Sequence, residues 1–148
     1  MIRIVPLELD HIKKLSDPSV MPGLGKIVGD IGLYWENIIA TGTAYAGFLD
    51  QKLLGCGGYA SPWPGVAEVW FWETPEVHAN PVATHNLIRR GLKYMEQEKG
   101  MNRISCEVLV GNARAERWVK LLGFKHEGTM RKRGPNGSDF ELYAKVRE

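Results

Sequence analysis

Cysteine is scarce in this chain: Cys56 and Cys106 are the only two, and neither stands at a metal-ligand spacing from a histidine. A Cys–His metal centre is therefore not expected, and no metal is assigned. Both cysteines fall in strand-like runs, where a buried free thiol in a reducing cytoplasm is the ordinary reading. Excess charge is missing too. Nineteen Lys and Arg against 17 Asp and Glu leave a net charge of +2, too little to argue for nucleic acid or a membrane surface as partner. No apolar run approaches the ~20 residues that cross a bilayer, and MIRIVPLELD lacks the basic-then-apolar order of a signal peptide. Repeats, linkers and low-complexity segments are also lacking. One cytoplasmic domain, residues 1–148, is expected.

What is present is a readable order of elements. Ile2 to Val5 alternates as a short strand ended by Pro6, and Leu9, Ile12 and Leu15 share a helical face. Over 21–38 the glycines weaken a helix, yet Ile27, Ile31, Tyr34, Trp35 and Ile38 keep its period. TAYAGFLD (43–50) and KLLGCGGYA (52–60) read as a hairpin turning at Asp50-Gln51, SPWPG (61–65) as a turn, and VAEVWFWE (66–73) as a third strand. A long amphipathic helix follows from Asn80 to about Gln97, then a strand over 103–110 and a helix from Asn112 to Leu122 closed by Gly123. Two strands around GPNG (134–137) finish the chain. A meander followed by strand–helix–strand implies an α/β (α+β) fold with a mixed, mostly antiparallel central sheet and helices on its faces.

One local absence frames the functional question. The stretch HANPVATHNLIRRG (78–91) opens a helix directly after a strand, with Asn80 as cap and Pro81 at the first helical position. Helix N-termini hold anions well, because unpaired N–H groups and the dipole face the ligand. Phosphate-cradling loops are usually glycine-rich, however, and this one has no glycine before Gly91. If strands 66–73 and 103–110 are parallel neighbours, the helices at Asn80 and Asn112 both start at their carboxyl ends, where ligands bind in open sheets.

The run VGNARAERWVKLLGFKHEG (110–128) resembles the second signature of the GNAT N-acetyltransferase superfamily: Asn-x-x-Ala/Ser, a helix, Gly-Phe, then Glu-Gly. The element order is similar over essentially the whole chain. GTMRKRGPNGSDFELYAKV (128–146) resembles the branch that acetylates protein α-amino groups, including those of ribosomal proteins. PWPGVAEVWF with NPVATHNLIRRGLKYM resembles GNAT proteins of phages and prophages. The resemblance implies a three-layer αβα fold with a splay between the fourth and fifth strands, and acetyl-CoA as co-substrate in that gap. It implies an amine acceptor, a protein N-terminus, lysine or small amine, entering from the other side, and it leaves a homodimer open.

The family's pyrophosphate signature, Arg/Gln-x-x-Gly-x-Gly/Ala, falls at residues 79–84, where both glycines and the Arg/Gln are missing. Val82, Ala83 and Thr84 still offer N–H groups, and Val82 is the bulky intruder. Further cofactor contacts are implied at Trp72, Glu73 and Thr74, at Asn112, and at Arg117 and Lys120. Removing a proton from an ammonium acceptor needs a base. Glu68 stands where the histone-acetylating branch carries one, and alternation puts Trp70 and Trp72 on its face, so desolvation could tune it. Glu73 and Glu107 are the alternatives. The tyrosine that many members use to protonate the thiolate is Val119 here, so direct attack with solvent or substrate as proton source is expected. The competing expectation is a GNAT-fold protein without catalysis, such as a phage virion or morphogenesis component, suggested by the missing glycines, the missing tyrosine and the cluster Trp63, Trp70 and Trp72.

Overall fold

In the computed structural model, which describes residues 1–17 and 32–148, the alternating runs become strands and the 3.6-periodic runs become helices. The order is β1 (Ile2–Pro6), α1 (Leu9–Ser16), α2 (Gly32–Ala40), β2 (Ala44–Leu49), β3 (Lys52–Trp63) and β4 (Val66–Glu73). Then come α3 (Glu76–Ala79), α4 (Pro81–Gln97), β5 (Arg103–Leu109), α5 (Ala113–Leu121), β6 (Lys125–Met130) and, after a 3₁₀ turn at Pro135–Gly137, β7 (Phe140–Val146). The strands follow one another as β1-β2-β3-β4-β5-β7-β6. The β1–β2, β2–β3, β5–β7 and β6–β7 pairs are antiparallel, and β4–β5 is parallel. This is the mixed, mostly antiparallel sheet amid helices that the element order implied. The first part of the helix expected over 21–38 lies outside the described residues.

Three sequence expectations need correction. β3 runs on through Ser61 to Trp63 rather than stopping at Ala60, because the Ser61 hydroxyl donates to the carbonyls of Trp63 (3.0 Å) and Val66 (2.8 Å) and ties the two strand ends together. A short helix, α3, occupies the stretch read as a plain connection, anchored by Val77 N–H on the Thr74 carbonyl at 3.1 Å. Asn80 does not cap α4 with its side chain. Its amide NH2 donates backward to the Glu76 carbonyl of α3 at 3.1 Å.

By its internal contacts the chain divides into two compact units. The first comprises Met1–Tyr59 with Phe71–Leu87, the second Ala60–Trp70 with Ile88–Glu148. In the first, Leu7, Ile12, Leu15, Trp35, Ala46, Phe48, Leu54, Cys56 and Val77 are buried. In the second, Ala67, Leu92, Met95, Ile104, Val108, Phe124, Tyr143 and Ala144 are buried. Burial on this scale is the main force holding each unit, at ~25 cal/mol per Å² of apolar surface removed from water. Among the described residues, no helix is long and apolar enough to cross a membrane.

Candidate active site

In the first unit, the end of β4 is held against β3 by close backbone approach. A Cβ on Gly55 would stand 2.3 Å from the Trp72 carbonyl oxygen, so only glycine lets β4 lie this near. Thr74 then locks the strand end. Its N–H donates to the Leu54 carbonyl at 2.8 Å, and its hydroxyl to the Leu53 and Leu54 carbonyls at 2.6 and 3.1 Å. Its own carbonyl accepts from Val77, and the residue is buried. Every polar group of Thr74 is therefore engaged internally. Glu73 is half-buried, with its carboxylate 3.7 Å from His78 Nε2.

The start of α4 offers fewer donors than the sequence suggested. The Thr84 N–H closes the first helical bond, onto the Asn80 carbonyl at 3.2 Å, and the Thr84 hydroxyl donates to the same oxygen at 2.9 Å. Thr84 is 1% exposed. The expectation of a free N–H at Thr84 is thus corrected: the first hydrogen bond of any helix consumes this donor. Among the described residues no acceptor takes the N–H of Val82 or Ala83, and Pro81 has none to give. Val82 is 73% exposed, so its bulk fills no interior space of the unit.

In the second unit, β4 and β5 pair in register only at Val66–Arg103, Ala67–Ile104 and Glu68–Ser105. Both strands continue beyond this point, β4 to Glu73 and β5 to Leu109. Glu68 thus stands at the last registered pair before the strands part. It is exposed. The indoles at its alternate positions do not shield it from water. Glu107, also exposed, lies 3.4 Å from Arg133 Nε. Asn112 caps α5, its Oδ1 accepting from Ala115 N–H at 3.1 Å. Arg117 and Lys120 on α5 are exposed.

Behind these groups, α5 is tied to the sheet by the buried Tyr143, whose hydroxyl donates to Glu116 Oε1 at 3.1 Å. Burial and the Glu116 carboxylate both push that phenol up from its ordinary value. On the same face of β7, Glu141 pairs with His126 and accepts from the Thr129 hydroxyl, and these bonds hold its carboxyl below the ordinary range. The bulge between His126 and Gly128 re-aims Glu127 onto Arg103, in a two-armed pair with one arm at 3.0 Å. Cys106, half-buried on β5, has its thiol pushed up to about 12 by burial and then by Glu107. It is no nucleophile at neutral pH.

Comparison with known proteins identifies the family. The model of the acetyltransferase (GNAT) family matches residues 16–124. The chain belongs to that family. Solved structures of acetyltransferases match it nearly end to end. An acetyltransferase (GNAT family) from Bacillus anthracis is 18% identical with TM-score 0.74, over 98% of this chain and 94% of the other. A protein described as a probable acetyltransferase is 21% identical with TM-score 0.76, over 98% and 92%. Spermidine N-acetyltransferase from Vibrio cholerae, solved with CoA and spermine, is 16% identical with TM-score 0.72, over 99% and 95%. At these identities the likeness concerns fold. No curated protein matches the chain.

Among GNAT folds, then, this one brings Glu68, Glu107, Asn112, Arg117 and Lys120 into the second unit and Trp72, Glu73, Thr74, Val82, Ala83 and Thr84 into the first. Sequence reasoning missed two partners in the second unit, Arg133 for Glu107 and Glu116 for Tyr143. Both pairs span more than 20 residues and depend on the β5–β7 register, so no local signal announces them.

Proposed function

We propose that this protein transfers an acetyl group from acetyl-CoA to a primary amine by direct attack. The observation that carries the reading is the parting of β4 and β5 after Glu68–Ser105, in a chain of the acetyltransferase (GNAT) family. Acetyl-CoA brings the thioester. In the first unit the unused N–H groups of Val82 and Ala83, and in the second the cations Arg117 and Lys120, have the chemistry that phosphates take, while Asn112 has an amide NH2, left over by its capping bond, for the pantetheine arm. Glu68 takes a proton from the acceptor ammonium, and the neutral amine forms the C–N bond as the C–S bond breaks. Backbone N–H groups near Trp72 and Glu73 hold the oxyanion. The thiolate takes its proton from solvent or from the product, which thiol acidity near pH ~8.5 makes undemanding. Glu107, beside Arg133, and Glu73, beside His78, are the alternative bases.

The similarity of residues 128–146 to the α-amino-acetylating branch makes a protein N-terminus the first acceptor to test, ahead of lysine or a small amine. The test is calorimetry with acetyl-CoA followed by acetyl-transfer assays. Binding should be saturable, and Glu68→Gln should lower turnover by about 10²–10⁴-fold, the usual worth of a positioned base, with acetyl-CoA affinity unchanged. An unaltered rate moves the base elsewhere.

A second reading, a GNAT-fold interaction protein without catalysis, such as a phage structural component, draws support from Pro81, which offers no N–H at the helix start. Absence of acetyl-CoA binding would decide for it.

A further inference from the structure

The loop between β6 and β7 is built tightly and spends its strain on a lysine. Lys132 adopts the left-handed region, φ 55°, which costs a non-glycine residue free energy. Asp139 pins it there, its Oδ1 accepting from Lys132 N–H at 2.8 Å. Gly134 donates to the Ser138 carbonyl at 2.9 Å, and a Cβ on Gly134 would stand 2.2 Å from the Phe140 ring. The chain reverses against that ring and holds Arg131, Lys132 and Arg133 exposed.

Register fixes where this happens. Leu109, the last residue of β5, pairs with Phe140, and Phe140 with Met130. Val110 N–H donates to the Asp139 carbonyl at 3.0 Å. The loop therefore sits at the carboxyl end of β5, the end at which open sheets bind their ligands, and Arg133 reaches Glu107 there. The acidic groups around it are engaged: Asp139 by Lys132 N–H, Glu107 by Arg133, Glu141 by His126 and Thr129, Glu127 by Arg103. Among the described residues, the side chains of Arg131 and Lys132 have no anionic partner.

We infer that Arg131 and Lys132 select an amine acceptor that carries a carboxylate close to its amino group, such as a peptide N-terminus followed by Asp or Glu, and disfavour polycationic amines. The inference rests on the acetyl-transfer reading and names its substrate class. Two exposed, unneutralised cations attract an acidic acceptor and repel a polyamine as it approaches the same strand end. They act on the approach and binding of the acceptor and leave the bond-making step alone.

The test is a competition assay with purified full-length protein and acetyl-CoA. Acceptors are peptides differing only in Asp, Ala or Lys at the second and third positions, together with spermidine, and products are quantified by mass spectrometry. The acidic peptide should lead the lysine peptide by about tenfold in kcat/KM, the effect expected of two solvent-screened charges acting together. The difference should lie in KM, and spermidine should be the poorest acceptor. The preference should fall toward unity at ionic strength of about 1 M, where the Debye length is ~3 Å. It should invert in the double variant Arg131→Glu/Lys132→Glu, with acetyl-CoA affinity unchanged by calorimetry. Equal use of the three peptides, or preference for spermidine, overturns the inference while leaving acetyl transfer standing. Failure to bind acetyl-CoA or to acetylate any amine overturns both.

Discussion

Gly55→Ala should weaken the first unit markedly, and the reason is geometric. The new Cβ would stand 2.3 Å from the Trp72 carbonyl oxygen and 3.0–3.1 Å from two Phe71 ring carbons. Carbon and oxygen ordinarily stay ~3.3 Å apart even when attractive, so the overlap is about 1 Å. Neither side can yield cheaply. The obstructing oxygen is backbone, and two residues on Thr74 fastens the same strand to Leu53 and Leu54 by bonds of 2.6 and 2.8 Å. Overpacking costs typically 1–3 kcal/mol, and a clash with immobile backbone belongs at the top of that range, about 3 kcal/mol. For a chain of this size that lowers Tm by about 6–12 °C. Gly91→Ala is the internal control. It adds the same methyl on an exposed turn of α4 with nothing within 4 Å, and should stabilise by roughly 0.5–1 kcal/mol through helix propensity alone. Thermal and urea unfolding of both variants and the wild type measure the difference. If Gly55→Ala melts within about 2 °C of the wild type, β3 and β4 do not approach as described.

Two further substitutions address other parts of the first unit. Thr74→Val keeps the shape but removes the hydroxyl that serves the Leu53 carbonyl, and should cost about 1–3 kcal/mol in urea denaturation; a change below ~0.3 kcal/mol would show that the strand end is held otherwise. His11 accepts the Glu8 N–H on Nδ1 at 3.0 Å, and burial, its largest influence, lowers its pKa from the ordinary value. A depressed folded value means that protonation favours the unfolded chain. The stability His11 lends is therefore complete above its unfolded pKa of ~6.5 and is lost as pH falls through the folded value. His11→Asn keeps an acceptor without a titrating group, so its melting temperature should vary less between neutral and mildly acidic pH than that of the wild type. Parallel curves for the two proteins would exclude His11 as the source.

The sequence made the strands and helices legible because their periods of 2 and 3.6 are local properties. The same holds for the Asn112 cap, which needs only the next three residues. What escaped was set by neighbours distant in the chain or by competition between adjacent segments. Asn80 has the right chemistry to cap α4, but α3 ends beside it and the Glu76 carbonyl captures its side chain. Thr74 looks like a polar strand end open to a ligand until β3 is brought alongside. Glu68 follows the alternation that puts indoles on its face, yet the strand carries it into water. In the second unit, the Glu107–Arg133 and Glu116–Tyr143 pairs exist because of the register of β5 on β7 and the packing of α5, and register is not written in either partner's surroundings.

These details shift the question posed by the glycine-free helix start. Read from the sequence, the obstacle to an anion at residues 79–84 was the bulk of Val82. In the structure Val82 is mostly exposed, and the real reduction is in the number of donors. Pro81 gives no N–H, while Thr84 spends its N–H on the Asn80 carbonyl as the first bonded residue of any helix does. Two N–H groups remain, at Val82 and Ala83. A helix terminus contributes about half an elementary charge whatever its side chains, so the electrostatic attraction for a phosphate survives the loss of glycine. What declines is the count of short, directed bonds, each worth ~1.5–3 kcal/mol to a charged acceptor. On the proposed acetyl-transfer reading, the exposed cations Arg117 and Lys120 of α5 are then expected to supply more of the grip on the cofactor's phosphates. Side-chain cations are screened by salt where short directed backbone bonds are not, so on the proposed acetyl-transfer reading, calorimetry at rising ionic strength should show acetyl-CoA affinity falling more steeply here than in a family member that keeps the glycine-rich loop, and equal slopes would refute it.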